Sequence, residues 1–124
     1  DDPVLCKRLE DLGCEVVMPL VSPIGSGLGI RNEHNLEIIR SMCKGLIFVD
    51  AGIGRPSDAC RIMELGFDGV LLNSAVARSH DPINMAEAMN LAVKSGRQSF
   101  LSGAIKKTKT AVATTTFKGK ISNF

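Results

Sequence analysis

Tryptophan and tyrosine are absent from the sequence, aromatic residues make up only 4% of it, and its 124 residues contain no long apolar run. A membrane-spanning helix needs roughly 18 consecutive apolar positions, and a secretory signal needs a basic stretch followed by an apolar segment. Neither pattern occurs here. We therefore expect neither a membrane protein nor an intact secretory precursor, and the length limits the chain to one globular domain.

Cysteine and histidine are too few, and too irregularly spaced, for a metal site. The four cysteines form no Cys-x-x-Cys pair, and neither histidine lies at ligand spacing from any of them. Cys14, Cys43 and Cys60 have apolar neighbours, which predicts core or near-core positions and fits a reducing cytosol. His34 and His80 fall in polar segments and are assigned no role.

Acidic residues are missing from the end of the chain. Residues 106–124 contain five lysines and no acid, whereas residues 1–105 contain 10 basic and 13 acidic side chains. A lysine-rich segment could bind nucleic acid or an acidic partner, but this one has no arginine cluster and only two phenylalanines for base stacking. The sequence therefore predicts a folded unit over residues 1–105, a basic flexible tail over residues 106–124, and no nucleic-acid partner.

Four segments combine a helix start signal with apolar residues at helical spacing. They are residues 2–13, 35–42, 57–66 and 81–96. Asp2 and Asp81 each precede a proline at the first helical position, and Ser57 is the predicted cap of the third helix. Gly96 is the predicted end of the fourth helix.

Three short apolar segments, residues 15–20, 46–49 and 70–72, alternate with these helices and are typical of buried strands. Because each crossover helix returns the chain to the same end of the sheet, the strands are predicted to be parallel, with helices on both faces. A repeat of roughly 30 residues occurs in (β/α) barrels and in doubly wound sheets. Three parallel strands leave two open edges, so we expect the chain either to continue in a longer protein, as a start at Asp1 suggests, or to pair with another copy.

Small residues follow each predicted strand, at the carboxyl end where ligands bind in these folds. The three loops contain residues 25–29, 50–54 and 73–75. Glycines let the backbone approach a ligand closely and turn its amide groups toward an anion. The loops match neither the dinucleotide fingerprint nor the Gly-Lys-Ser/Thr of nucleotide triphosphatases, and together they predict a site for a phosphate group.

Asp50 is the strongest candidate among the charged residues. Four apolar residues precede it, so it is predicted at the carboxyl rim of a buried strand, where an unpaired charge is unfavourable. Such a residue is a helix cap, a partner for a nearby lysine, or a general acid and base, and its position favours the last. Ser26 and Ser74 have no evident histidine and acid partners, so a nucleophilic serine is not expected.

Five segments carry a resemblance to a known family. They are residues 18–20, 23–32, 49–54, 63–66 and 70–75, which read Met-Pro-Leu, Pro-Ile-Gly-Ser-Gly-Leu-Gly-Ile-Arg-Asn, Val-Asp-Ala-Gly-Ile-Gly, Met-Glu-Leu-Gly and Val-Leu-Leu-Asn-Ser-Ala. In order and spacing they resemble the thiazole synthase of bacterial and plastid thiamine biosynthesis. The resemblance extends over residues 1–105 and covers only the second half of that enzyme.

The resemblance implies an α/β fold, the second half of a (β/α)8 TIM-type barrel, with about three parallel strands and four helices present. Family members condense 1-deoxy-D-xylulose 5-phosphate, dehydroglycine and the thiocarboxylate of a sulfur-carrier protein into a thiazole phosphate, without a metal or other cofactor in that step. Asp50 matches an acid and base residue of the family. The positions that match the family's sugar-phosphate contacts are Gly25, Ala51, Gly52, Asn73 and Ser74.

The resemblance also implies a dehydroglycine-producing enzyme as a partner, a homo-oligomer, and a bacterial cytoplasm or plastid stroma. The family's Schiff-base lysine belongs to the first half of the barrel. Lys44 precedes a strand at the opposite end and Lys7 and Lys94 lie in helices, so the chain alone is expected to be inactive. The alternatives are a noncatalytic phosphate-binding half-barrel that dimerises, and another phosphosugar barrel enzyme such as an isomerase or aldolase.

Overall fold

Strands and helices alternate along the chain in the computed structural model, which describes residues 1–112 and 114. The strands are β1 (Val16–Val17), β2 (Leu46–Asp50) and β3 (Gly69–Leu71). The helices are α1 (Pro3–Asp11), α2 (Glu33–Met42), α3 (Pro56–Glu64), α4 (Ser74–Ala77) and α5 (Pro82–Ser102). The predicted α/β class is confirmed, although α4, which follows β3 directly, was not among the four predicted helices.

The three strands form a parallel sheet in the order β1, β2, β3, as the alternation predicts. β1 is shorter than the predicted strand at residues 15–20, because Pro19 has no amide hydrogen to donate to a strand ladder. Pairing resumes at Leu20, which lies opposite Asp50, and the Pro19 carbonyl accepts a hydrogen bond of 2.9 Å from the Asp50 amide. These contacts fix the carboxyl end of β2.

The crossover helices cover one face of the sheet, so the predicted helices on both faces are wrong. Right-handed crossovers between strands in sequential order place every crossover helix on the same side. On the covered face, Val17, Ile47 and Val49 are at most 4% exposed. The opposite face, called the open face below, carries the apolar side chains of Val16, Leu20, Leu46, Phe48 and Leu71, together with Gly69 and Asp50. Leu46 and Leu71 are 51% and 50% exposed.

The start of α3 differs from the prediction. The helix begins at Pro56, so Ser57 lies inside its first turn and does not cap it. The carboxylate of Asp58 accepts hydrogen bonds from the amides of Gly54 and Arg55 at 3.1 and 2.9 Å. This carboxylate therefore ties the loop after β2 to the start of α3.

The end of α5 also differs from the prediction. The helix continues through Gly96, its predicted end, as far as Ser102. Gly96 is buried against α3, where an added Cβ would lie 2.2 Å from the carbonyl oxygen of Cys60 and 2.8 Å from the Cβ of Met63. A glycine at this position therefore allows close helix packing and does not terminate the helix.

The buried apolar side chains form a core between the sheet and the helices. Its largest members are Phe67, Leu36, Ile39, Ile47 and Ile62. Cys6 and Cys43 belong to this core, and burial raises the pKa of both thiols. Cys60 is half-buried, whereas Cys14 is exposed in the turn between α1 and β1, so the near-core position predicted for Cys14 is wrong.

Arginine–carboxylate pairs connect the elements around the core. Arg61 of α3 donates hydrogen bonds of 2.5 and 3.1 Å to Glu33 of α2, and these bonds hold the pKa of Glu33 below its ordinary value. Arg40 of α2 donates to Asp68 at 3.0 Å, and the same carboxylate oxygen accepts a hydrogen bond from the Ile47 amide of β2 at 2.9 Å. These pairs hold α2 against α3 and β2.

Two further observations concern only the part of the chain that the structure describes. It contains no helix that is both long and apolar enough to cross a membrane, and no group of three or more His, Cys, Asp or Glu side chains that could hold a metal ion. Residues 103–112 form neither helix nor strand. Lys118 and Lys120 of the predicted tail lie outside the described residues.

We expect Gly96→Ala to lower the free energy of unfolding by about 1–3 kcal/mol, because the methyl group meets the backbone of α3. Without this clash, alanine would stabilise a helix interior by about 1 kcal/mol relative to glycine, so the packing decides the sign. Ser95→Ala, at an exposed position of α5, is the matched control and should not destabilise. Urea unfolding curves measure the free energy of unfolding of the parent and of both variants. A Gly96→Ala variant at least as stable as the parent would contradict the close packing of α3 and α5.

Candidate functional site

The carboxyl end of the sheet opens into a cavity of about 440 Å³, called the main cavity below. The structure brings all six predicted site residues into its lining: Gly25, Asp50, Ala51, Gly52, Asn73 and Ser74. Four apolar residues complete the lining: Ile24, Ile53, Leu71 and Leu72. Three successive loops therefore meet at one cavity, as expected for the carboxyl ends of parallel strands.

The loop after β2 has an uncommon backbone conformation. Ala51 and Gly52 have φ values of 62° and 82°, in the left-handed region. The Ala51 carbonyl accepts a hydrogen bond of 3.3 Å from the Val21 amide. The Gly52 carbonyl accepts one of 2.9 Å from the Gly29 amide and one of 3.2 Å from the Ser22 hydroxyl. Both carbonyls thus point toward the loop after β1.

The amides of the same loop are left for a ligand. In a trans peptide the carbonyl and the following N–H point in opposite directions. Because the carbonyls of Ala51 and Gly52 face the loop after β1, the N–H groups of Gly52 and Ile53 face away from that loop. Neither N–H has a hydrogen-bond partner within the described part of the chain. Two adjacent free amides beside a cavity suit the binding of an anion.

Ser22 holds this arrangement together, although the sequence pattern did not identify it. The side chain is 2% exposed, and its hydroxyl lies 3.3 Å from the hydroxyl of Ser26 as well as donating to Gly52. A Cβ added to Gly52 would lie 1.9 Å from the Ser22 hydroxyl oxygen. The site therefore needs glycine at residue 52 for space as well as for its φ angle. In the sequence, a serine before Pro23 fits an ordinary turn equally well, so no local signal distinguishes it.

Asp50 ends β2 and lies on the same face of the sheet as Leu71, its partner in the strand register. One carboxylate oxygen accepts a hydrogen bond of 2.6 Å from the Ala51 amide. Its second oxygen has no hydrogen-bond donor, and the carboxylate has no ion-pair partner, among the residues that the structure describes. The N-cap of α3 is Arg55, so Asp50 is not a helix cap. A half-buried carboxylate with a free oxygen at a cavity can exchange a proton with a bound molecule.

The loop after β3 supplies two further polar side chains. Asn73 stands at the N-cap position of α4, but its side chain makes no capping hydrogen bond. The Ser74 hydroxyl oxygen lies 3.8 Å from the point that a Cβ on Gly25 would occupy, so the loops after β1 and β3 approach each other over the cavity. Gly25 has a φ of 72°, which glycine adopts without strain. Arg78, another residue that the sequence pattern did not identify, approaches the same point to 3.9 Å through Nη1.

These features define an α/β protein of the βα-repeat class with a candidate anion site at the carboxyl end of its parallel sheet. A family model described as "Thiazole biosynthesis protein ThiG" matches residues 1–116. The chain belongs to this family, which confirms the resemblance read from the five sequence segments.

Curated relatives and a solved structure agree with this assignment. The chain is 55% identical over 121 residues to the thiazole synthases of Geobacter sulfurreducens and of Sorangium cellulosum. Each of these matches covers 98% of the chain but 46% of the relative. The crystal structure of the Amycolatopsis orientalis BexX/CysO complex matches with a TM-score of 0.83 and 31% identity, over 88% of the chain and 45% of that chain. The chain thus spans about half the length of the curated relatives it matches.

We expect Gly52→Ala to weaken the binding of inorganic phosphate by about 10- to 100-fold. The added methyl group would clash with Ser22 and displace the loop after β2, so the amides of Gly52 and Ile53 would lose their charge-assisted hydrogen bonds to the phosphate. Gly13→Ala is the matched control. Gly13 also has a positive φ, of 95°, but an added Cβ there meets nothing within 4 Å. The control should lose about 1–2 kcal/mol of stability and keep its phosphate affinity. Calorimetric titration measures the affinities, and equal affinities in both variants would rule out the amides of this loop as phosphate ligands.

Proposed function

We propose that the chain is the carboxyl-terminal half of a thiazole synthase barrel. The whole enzyme condenses 1-deoxy-D-xylulose 5-phosphate, dehydroglycine and a sulfur-carrier thiocarboxylate into the thiazole phosphate of thiamine. Membership of the family supports this activity. The observation that carries the proposal is the convergence of the six site residues on one cavity at the carboxyl end of the sheet. On this proposal residues 1–105 form the half-barrel, residues 106–124 form a separate basic tail, and the enzyme acts in the bacterial cytoplasm.

The phosphate of the sugar is held, on this proposal, by the loops after all three strands. The free amides of Gly52 and Ile53 supply hydrogen-bond donors from one side. The Asn73 amide and the Ser74 hydroxyl supply donors from the other, and Gly25 leaves space for the ligand between them. This donor set is uncharged, so it suits a phosphate held largely by backbone and neutral side chains.

Asp50 is the proposed acid and base. Among the described residues that line the main cavity it is the one with a titratable side chain. Imine formation removes the ketone oxygen of the sugar as water, and a carboxyl group that donates a proton to the leaving hydroxyl and then recovers one assists this step. The free carboxylate oxygen of Asp50 is available for that exchange.

The covalent nucleophile must come from outside the described residues. No lysine among them lines the main cavity. Lys7 and Lys94 lie in α1 and α5, and Lys44 lies directly before β2, at the opposite end of the sheet. An imine with the sugar ketone requires an amine within bonding distance of the carbonyl carbon. On this proposal that amine belongs to the first half of the barrel, so residues 1–124 alone do not turn over the sugar phosphate.

Protein partners are proposed by similarity. The solved structure is of a BexX/CysO complex, so one structural relative binds a second protein. This supports a sulfur-carrier protein as the source of the thiocarboxylate. A dehydroglycine-producing enzyme and a second copy of the enzyme complete the proposed set of partners.

Asp50→Asn should lower the single-turnover rate of the natural enzyme by about 10²- to 10⁴-fold, because asparagine cannot exchange the proton. The affinity for the sugar phosphate should stay close to the parent value, since the amide ligands are untouched. Asp11→Asn, an exposed change on α1, is the control and should leave both quantities unchanged. Rapid-quench kinetics and calorimetry separate rate from binding. If Asp50→Asn reacts at the parent rate, Asp50 has only a structural role.

A substitution on the open face tests whether the chain is half of a barrel. If the rest of a barrel covers it, Leu46→Gln should lower the free energy of unfolding of the natural protein by about 2 kcal/mol, the value of a buried leucine. Leu12→Gln replaces a leucine that is 81% exposed and is the control. Chemical denaturation measures both variants. Equal stability of the two variants would mean that nothing covers the open face. This result would contradict both the barrel and a dimer that hides this face.

A further inference from the structure

A second cavity of about 310 Å³ adjoins the main cavity on the side of α3 and α4. The two share Gly25 and Ser74 in their linings. The second cavity, called the arginine cavity below, is also lined by Arg55, Arg78 and Ser79. It is thus a separate space that a group bound beside the phosphate could enter.

Arg55 and Arg78 are the charged residues in the lining of the arginine cavity, and both are cations. Within the described residues neither has a carboxylate in ion-pair contact, whereas Arg40 and Arg61 are both paired. Both side chains are exposed, and a guanidinium group without a counter-ion in the wall of a cavity attracts an anion that enters it.

The carboxylates nearest in sequence to the two arginines are already engaged. Asp58 accepts hydrogen bonds from the amides of Gly54 and Arg55. Asp81 caps α5, accepting a hydrogen bond of 3.1 Å from the amide of Asn84. Each carboxylate therefore stabilises a helix start and leaves the guanidinium groups available to a ligand.

The position of Arg78 connects the two cavities. Its Nη1 atom lies 3.9 Å from the point that a Cβ on Gly25 would occupy, and the Ser74 hydroxyl oxygen lies 3.8 Å from the same point. Gly25 and Ser74 belong to both linings. An anion at Arg78 would therefore be a neighbour of a ligand in the main cavity.

We propose that Arg55 and Arg78 form a carboxylate site, which binds a carboxyl-type anion at the same time as the main cavity holds the sugar phosphate. The inference rests on the proposed function, in which the two other substrates each carry such an anion, a carboxylate on dehydroglycine and a thiocarboxylate on the carrier protein. Guanidinium forks match the planar geometry of both groups.

The test is an NMR titration of the ¹⁵N-labelled natural protein, first with inorganic phosphate to saturation and then with acetate. Phosphate should shift the amide signals of Gly52 and Ile53, and acetate should then shift those of Arg78 and Ser79 in a saturable manner. In the double variant Arg55→Gln, Arg78→Gln the acetate affinity should fall about tenfold or more, through loss of charge-assisted hydrogen bonds. The double variant Arg8→Gln, Lys44→Gln removes the same charge from two exposed positions remote from both cavities and should bind acetate like the parent.

Three results would overturn the inference: acetate that does not bind after phosphate, equal acetate affinity in the two double variants, or acetate shifts confined to the main cavity. If phosphate itself fails to shift Gly52 and Ile53, the proposed phosphate site is wrong, and the acetate result is still read separately. Steady-state kinetics of the Arg55→Gln, Arg78→Gln enzyme identify which substrate supplies the carboxyl-type anion. A higher KM for dehydroglycine or for the carrier protein identifies the ligand, and unchanged values for both would also count against the site.

Discussion

The close contact between the loop after β1 and the loop after β2 is the constraint on which the candidate site depends. At Gly54 an added Cβ would lie 2.2 Å from the carbonyl oxygen of Gly27, and at Gly52 it would overlap Ser22. The two backbones can approach this closely only because these positions lack side chains. The contact takes up the carbonyls of the second loop and leaves its N–H groups for a ligand. The anion-binding character proposed for the site would therefore be a result of backbone packing.

The alternation of helices and strands was sufficient to predict the parallel sheet and the meeting of three loops at one end, because the carboxyl ends of parallel strands must lie together. Of the six candidate residues in the lining of the main cavity, Asp50 was indicated by its position after a buried strand, and the other five were implied by the family resemblance. The sequence was not sufficient for the faces of the sheet. An apolar strand indicates that its side chains are to be covered, but not whether a helix of the same chain or another part of a barrel covers them. Ser22 and Arg78 could not be predicted for a related reason. Ser22 contacts a loop 30 residues away, and no local pattern reports such a contact.

The open face and the chemistry of Asp50 are linked by the strand register. Asp50 pairs with Leu71 and Leu20, so it lies on the face of the sheet that carries the exposed leucines. Whatever covers those leucines also encloses the carboxylate. Removal of water strengthens electrostatic interactions, so the elements that complete the core would also set the environment for the proton exchange proposed for Asp50.

Ala51 gives the loop after β2 a further property. It is the non-glycine residue with positive φ among the described residues, and alanine holds that conformation at a cost of roughly 1–2 kcal/mol that glycine would avoid. A glycine there would also widen the range of shapes open to the empty loop. The free-energy cost of the strain and of ordering the loop is thus incurred when the chain folds. A ligand that binds later therefore causes little further loss of conformational entropy in the loop.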